Sequence, residues 1–243
     1  MPKTIIVVPC FNEATRLQSR VFMDYAQHNP EVSFLFVNDG SNDTTQQLLE
    51  HITEIYPQCH CLHLQHNQGK AEAVRQGMLY GVQATNCDYI GFWDADLATP
   101  LNEIEKFASI LQSGDYDIVI GLRLARLGAR IARKKSRHYL GRCFATITSQ
   151  ILHIPIYDSQ CGAKMMRRVL VEKLFQEPFD TKWLFDVEIF ARYLSFTTKE
   201  DACKRICEYP LAEWHDIKGS RLKATDFLRA PWELMKIKVK YKL

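Results

Sequence analysis

The chain has 243 residues, 47% of them hydrophobic and 24% charged, with a formal net charge of +3. That is the composition of an ordinary globular protein, long enough for one large α/β domain. No run approaches the ~18 apolar residues of a membrane-spanning helix and the N-terminus lacks the apolar length of a signal peptide, so the eight cysteines are expected as reduced thiols in the cytoplasm.

Thr4–Val8 is a nearly unbroken β-branched run, the pattern of a parallel strand covered on both faces. It ends in Val8-Pro9-Cys10-Phe11-Asn12-Glu13, with no G-x-G-x-x-G, so the dinucleotide-binding fingerprint is absent. An aromatic ring and a carboxylate at this turn suit stacking on and hydrogen bonding to a nucleoside. A plain turn before a helix begun by Glu13 fits equally well. A helix is expected over about Glu13–His28, then a strand over Val32–Val37. That strand ends in Asn38-Asp39-Gly40-Ser41-Asn42-Asp43, where Asp39 can accept from a base N–H and Gly40 permits a tight backbone; read alone, it is a turn. Ser41 or Asp43 is expected to cap a helix over Thr44–Ile55.

The strand Cys59–Leu64 leads to Asn67-Gln68-Gly69-Lys70, where a glycine opens a helix over Lys70–Gln83 and Lys70 can reach a phosphate. Cys59, His60, Cys61, His63 and His66 lack zinc-site spacing and split between the two strand faces. The strand Asp88–Trp93 runs into Asp94-Ala95-Asp96. Two carboxylates one residue apart point to one side of an extended backbone, and hard oxygen donors suit Mg²⁺ or Mn²⁺ carried by a diphosphate. On its own that pair is a weak signal. Thr99-Pro100 precedes a helix over Asn102–Leu111, and Ile118–Ile120 is a fifth strand. Alternating strands and helices predict a doubly wound, parallel sheet with ligands beyond the carboxyl ends of its strands.

After Gly121 the rhythm breaks. Arg123, Arg126, Arg130, Arg133, Lys134, Lys135, Arg137 and Arg142 follow without an intervening acid, leaving the rest of the chain net acidic. Such a block is either a solvated segment or a site for phosphates or an anionic membrane face. Helices are expected over Tyr139–Leu152, Phe185–Leu194 and Thr225–Met235, the last kinked by Pro231. Cys203 and Cys207 have the spacing of one helical turn, and Trp183, Phe185 and Trp214 read as packing residues, with Trp214 beside His215 able to border an acceptor cleft. Lys236, Lys238, Lys240 and Lys242 alternate with Ile237, Val239 and Tyr241, a period of two that argues against an amphipathic helix there.

The order P-x-F-N-E, N-D-G-S-N-D, N-Q-G-K and D-A-D at four successive strand ends resembles the family 2 glycosyltransferases of GT-A fold. Asp158-Ser159-Gln160-Cys161-Gly162-Ala163-Lys164 and Phe185-Asp186-Val187-Glu188 narrow the likeness to the branch that includes dolichyl-phosphate glucosyl- and mannosyltransferases, over roughly Ile5–Leu222. The resemblance implies a single α/β GT-A nucleotide-sugar-binding domain over 1–243, with a mostly parallel sheet flanked by helices. Residues 1–121 would form the donor half, 122–222 the acceptor half with its basic loop, and 223–243 a basic C-terminal segment.

By that resemblance Pro9, Phe11, Glu13 and Asp39 line the nucleoside pocket, and Asp94 lies near ribose and diphosphate, with Lys70 and Arg123 on the donor phosphates. Asp94 and Asp96 would hold the divalent cation, Mg²⁺ or Mn²⁺. A polar glutamine that neighbours the metal in mannose synthases is Ala98 here, which shifts the metal shell towards water and diphosphate oxygens. The implied reaction is inverting transfer from a nucleotide-diphosphate sugar, a UDP-sugar favoured, to a polyprenyl phosphate. Asp186 is the candidate base if the acceptor is instead a hydroxyl of a polysaccharide or lipopolysaccharide; an ionised lipid phosphate needs none. Arg130, Arg133, Lys134, Arg137, Asp158, Gln160, Glu188 and Arg221 (of Gly219-Ser220-Arg221) are candidates for the acceptor side or a mobile lid, with peripheral membrane contact and no nucleic-acid partner. A non-catalytic nucleotide-sugar-binding module and a nucleotidyltransferase are the alternatives, the latter disfavoured because no Gly-rich basic loop follows the first strand.

Overall fold

The computed structural model describes residues 2–132, 135–216 and 224–243, without the side chains of 135–139 and 224–228. The first half of the chain runs β1 (Thr4–Cys10), α1 (Ser19–His28), β2 (Val32–Asp39), α2 (Thr45–Ile55), β3 (Cys59–Leu64), α3 (Lys70–Ala84), β4 (Tyr89–Trp93), α4 (Glu103–Gln112) and β5 (Ile118–Leu122). There follow β6 (Arg130–Ala132), α5 (Lys135–Leu152), β7 (Ala163–Arg167), α6 (Val171–Phe175), α7 (Phe185–Leu194), α8 (Lys199–Arg205), β8 (Ile206–Pro210), β9 (Glu213–His215) and α9 (Ala224–Tyr241).

Seven strands form one sheet in the order β3-β2-β1-β4-β7-β5-β8, and β6 and β9 make a separate parallel ribbon. β7 is antiparallel to both of its neighbours, while the other pairs are parallel. Both faces of the sheet are covered. Ile5, Val7, Leu35 and Val37 face Val74 and Met78 of α3, whereas Ile6, Val8, Phe34 and Phe36 face Phe22 of α1 and Leu49 of α2. That burial on both sides is why these strands read as continuous apolar runs. α3 packs closely because a Cβ at Gly81 would lie 2.7 Å from Ile90 Cδ1.

Several sequence expectations are corrected. α1 begins at Ser19 rather than Glu13. The intervening turn is held by Arg16 N and Leu17 N donating to Glu13 O, and by Glu13 N donating to Thr45 Oγ1. Ala163–Arg167 and Ile206–Pro210 are strands. Lys, Met and Arg favour helices, but pairing to β4 and β5 on either side decides for β7. Cys203 lies on α8 and Cys207 on β8, so they do not share a helical turn. α2 is preceded by Thr44 with no side-chain cap; Asp43 Oδ1 instead accepts from Thr45 N at 3.0 Å. α9 continues to Tyr241 through the alternating lysines, with Ala230, Leu234 and Ile237 buried at i, i+4 and i+7. No described helix is long and apolar enough to cross a membrane.

The far end of the sheet is tied by Asp117. Its carboxylate accepts from Arg205 Nε and Nη2 at 2.7 and 2.6 Å and from Tyr193 OH at 2.6 Å, with Arg167 Nε 3.3 Å away. Burial pushes this carboxyl up, but the Arg205 and Tyr193 hydrogen bonds and the two guanidinium charges outweigh it and hold the pKa below the ordinary value. A depressed folded pKa adds stability that is complete above the unfolded-chain value of about 4 and is lost as pH falls through the folded one. Asp117→Asn is therefore expected to cost about 2 kcal/mol near neutrality and much less at low pH, which urea unfolding at the two pH values checks.

Candidate functional site

The parallel strands β1, β2 and β4 deliver their carboxyl ends to one rim, beside the start of α3. The tips of β1 and β2 are cross-tied: Asn12 N donates to Ser41 Oγ at 2.9 Å and Asn42 N to Asn12 Oδ1 at 2.8 Å. Asn12 holds φ +49° to make that turn. Pro9 is still paired in register with Val37, Phe11 follows at the turn, and the Glu13 side chain is buried with Arg16 Nη1 3.6 Å from its Oε1. Asp39 accepts from Gln68 N at 2.7 Å, Gly69 N at 2.8 Å and Asn67 Nδ2 at 3.0 Å. Burial raises its pKa despite those bonds. Its carboxylate thus builds the loop that opens α3, with lone-pair capacity left on Oδ1. Gly40, at φ +61°, is required because a Cβ there would meet Asn67 N at 2.5 Å.

That loop aims Lys70, whose Nζ forms an ion pair with Asp94 Oδ1. Asp96 Oδ1 accepts from Ala98 N at 3.0 Å, and Ala98 O accepts from His215 N at 3.1 Å, so the β6–β9 ribbon borders the D-A-D turn. Burial first, and the neighbouring Asp94 charge second, raise the pKa of Asp96. Gly162 walls the turn from the other side. Asp94 N donates to its carbonyl at 3.0 Å, and a Cβ at Gly162 would overlap the Asp94 carboxylate.

These groups fit a divalent cation. Two crowded carboxylates, one of them desolvated, already attract the Lys70 ammonium as a counter-charge. Among the described residues no three His, Cys, Asp or Glu side chains converge, so diphosphate oxygens and water would complete the shell, as suits Mg²⁺ or Mn²⁺.

Asp186 sits in the first turn of α7, and its Oδ1 accepts from Lys164 Nζ at 2.6 Å. Lys164 is fully buried, donates also to Cys161 O at 2.7 Å and stands 5.4 Å from the centre of the Phe92 ring. Lys164 closes the Asp158–Lys164 motif, and a lone lysine beside Ala163, Met165 and Met166 is its signal in the sequence. Arg123 makes a two-pronged pair with Asp158, Nε to Oδ2 at 2.6 Å and Nη2 to Oδ1 at 2.7 Å, 5.3 Å from the Trp214 ring. Glu208 on β8 accepts from Tyr157 N and Asp158 N at 2.8 and 2.7 Å, fixing that turn. Asp158 therefore orients Arg123 and is itself oriented from the sheet. A cleft beside it is lined by Arg123, Arg142, Tyr157, Ser159 and Gln160, and the buried Ser159 Oγ has no hydrogen-bond partner among the described residues. Gln160 Nε2 donates to Trp183 O at 3.4 Å.

The other acceptor-side candidates divide. Glu188 is fully buried and accepts from Thr181 N at 3.1 Å, Thr181 Oγ1 at 3.0 Å, Arg192 Nη2 at 3.0 Å and Tyr241 OH at 2.9 Å. Its oxygens are filled by the fold, so the expectation that it meets acceptor is corrected. Arg130 is exposed on the ribbon, 3.3 Å from Glu213. Arg133, Lys134, Arg221 and the side chain of Arg137 lie outside the described residues.

The model of the glycosyl transferase family 2 matches residues 5–175. The chain is 30% identical to a dolichyl-phosphate beta-glucosyltransferase of Trichomonas vaginalis, over 98% of this chain and 72% of that one. It is 28% identical to the dolichyl-phosphate beta-glucosyltransferase of Saccharomyces cerevisiae, over 98% of this chain and 75% of that protein. Among solved structures, glucosyl-3-phosphoglycerate synthase from Mycobacterium tuberculosis, crystallised with Mn²⁺, UDP and glucosyl-3-phosphoglycerate, superposes with TM-score 0.69 at 15% identity, covering 99% of this chain and 80% of that one. The mannosyltransferase PcManGT of Pyrobaculum calidifontis, with GDP-Man and Mn²⁺, gives 0.67 at 17% identity, covering 98% and 64%. At those identities the likeness speaks for the fold. With a family match across most of the sheet and a relative aligned along nearly the whole sequence, the chain belongs to glycosyltransferase family 2 and is an enzyme of GT-A fold.

Proposed function

We propose that the enzyme moves a hexose, with inversion, from a uridine diphosphate sugar to a polyprenyl phosphate at a membrane surface. The observation that carries the reading is the meeting of Lys70, Asp94 and Asp96 on one rim, with Asp186 close enough to act electrostatically on Lys70. The curated relatives named above as dolichyl-phosphate beta-glucosyltransferases support the acceptor and the sugar. A Mg²⁺ or Mn²⁺ ion held by Asp94 and Asp96, when bound, would offset charge on the departing diphosphate.

The chain's own residues do the rest. Pro9, Phe11, Glu13 and Asp39 shape the nucleoside end, and Lys70 turns from Asp94 towards a donor phosphate. Arg123, kept rigid by Asp158, adds a second cation at that end. The acceptor oxygen attacks the anomeric carbon opposite the nucleoside diphosphate, which leaves with the electron pair of the broken C–O bond. Asp186 is tied to the buried Lys164. That arrangement favours a phosphate acceptor, which has no proton to lose, over a hydroxyl that would need a free carboxylate base. Asp186 then acts by positioning, a role it shares with the basic residues Arg130, Arg133, Lys134, Arg137 and Arg221 and with Gln160.

A donor screen tests this. With Mn²⁺ or Mg²⁺ present, a UDP-sugar near a hundred times its Kd is expected to raise Tm by about 5–10 °C. Radiolabelled sugar should then pass to a polyprenyl phosphate. A larger shift with GDP- or dTDP-sugars would reject the base assignment, and transfer confined to glycan hydroxyls would reject the acceptor.

A further inference from the structure

We infer that helix α9 carries a second, outward apolar stripe that docks the enzyme flat on an anionic lipid bilayer. The inward face of α9 is accounted for: Ala230, Leu234 and Ile237 are buried in the core, and Tyr241 OH reaches Glu188 at 2.9 Å. The opposite face is unusual. Trp232 is 77% exposed, Met235 51% and Val239 72%. At 3.6 residues per turn these three fall within an arc of about 60°. Single exposed apolar residues need no explanation, but three aligned on one helix, including a tryptophan, form a contact surface.

Charge identifies the occupant. On one side of the stripe the helical period sets Lys238 and Lys242, on the other Arg229 and, sharing Asp180 between them, Lys236 and Lys240. From Arg229 to Leu243 the sole acid is Glu233, which is turned inward to accept from Leu184 N at 3.3 Å. An apolar ridge of Trp, Met and Val rimmed by cations is the pattern of a helix lying in the headgroup region of anionic lipid. Pairing two copies through this ridge would bring cationic rims together, which disfavours self-association. The helix is also firmly tethered: Lys240 Nζ pairs with Asp180, and Glu233 holds the residue that precedes α7. Docking α9 therefore fixes the Asp186 turn beside the bilayer. The inference stands on the helix itself, and the choice of acceptor does not enter it.

The test uses the intact protein and vesicles of phosphatidylcholine, alone or with about a third phosphatidylserine. Wild type is expected to co-sediment with the anionic vesicles only, with release at high salt. Trp93 and Trp214 are buried and Trp183 is half-buried against Phe144, so a blue shift and quenching by brominated lipid should come chiefly from Trp232 and be absent in Trp232→Phe/Val239→Glu. Trp232→Glu is expected to weaken the partition coefficient roughly tenfold or more, and Lys238→Gln/Lys242→Gln by a similar factor in low salt only. Because Trp232 and Val239 lie on the outward face and Lys238 and Lys242 on its flank, Tm and transfer to a short, water-soluble isoprenoid phosphate should stay unchanged in each variant. No vesicle binding by wild type, or equal binding by wild type and all three variants, overturns the inference. So does a concentration-dependent dimer that Trp232→Glu dissolves without any lipid binding. Vesicle binding needs neither donor nor acceptor, so its result is separate from that of the transfer assay.

Discussion

Asp96→Asn is expected to lower the rate of sugar transfer about a thousandfold, roughly 4 kcal/mol of lost transition-state stabilisation. Asp96 is half-buried, held by Ala98 N, and sits beside a second carboxylate already engaged by Lys70. The fold gains nothing from crowding two negative charges there; burial and the Asp94 charge both push the Asp96 carboxyl up. Removing one charge should therefore leave Tm unchanged or raise it slightly, the usual sign of a group kept for function at a cost in stability. The measurements are initial rate at saturating Mn²⁺ and a thermal melt of the same preparation. A variant within tenfold of wild type would remove Asp96 from the donor site. A variant that loses rate and several degrees of Tm together would make it a structural residue.

The second large effect belongs to Lys164. Its ammonium has no exposure to solvent and is neutralised by Asp186 at 2.6 Å. Lys164→Met keeps the aliphatic bulk but strands Asp186 in the interior, which costs about 3–5 kcal/mol for a broken buried pair. For a chain of this length that is a fall in Tm of about 10 °C. Lys164→Met/Asp186→Leu removes both charges and should recover most of that loss, since two apolar groups replace a desolvated pair. Transfer should not return with stability, because Asp186 borders the Lys70 and Asp94 rim. Full recovery of both would reduce the pair to packing.

Much of this was legible in the residues. β1, β2 and β4 are buried or half-buried runs rich in β-branched and aromatic residues. Their ends carry Asn, Asp and Gly because turns need those side chains, so both the strands and the rim were visible. α7 was read with its observed limits, Phe185–Leu194, since its apolar positions recur at helical spacing. The antiparallel β7 was not read as a strand. Ala163-Lys164-Met165-Met166-Arg167 has no β-branched residue, and only the open edges of β4 and β5 impose an extended backbone on it. α9 was cut short for the opposite reason. Alternating Lys and apolar letters suggest a strand, yet a helix with one face on the core and another outward satisfies them equally.

By itself the sequence singled out the candidate groups: the ordered strand-end motifs, Asp94 and Asp96 one residue apart, the acid Asp186 and the run of cations. Those follow from composition over short windows, where spacing along the chain is also spacing in space. Tertiary structure alone decided how they are used. It spent Glu188 and most of Asp39 on internal hydrogen bonds, joined Lys164 to Asp186 and Arg123 to Asp158, and turned Trp232 outward. A carboxylate's partners are set by whatever the sheet brings within about 3 Å of it, and such contacts across many residues leave no mark in local sequence.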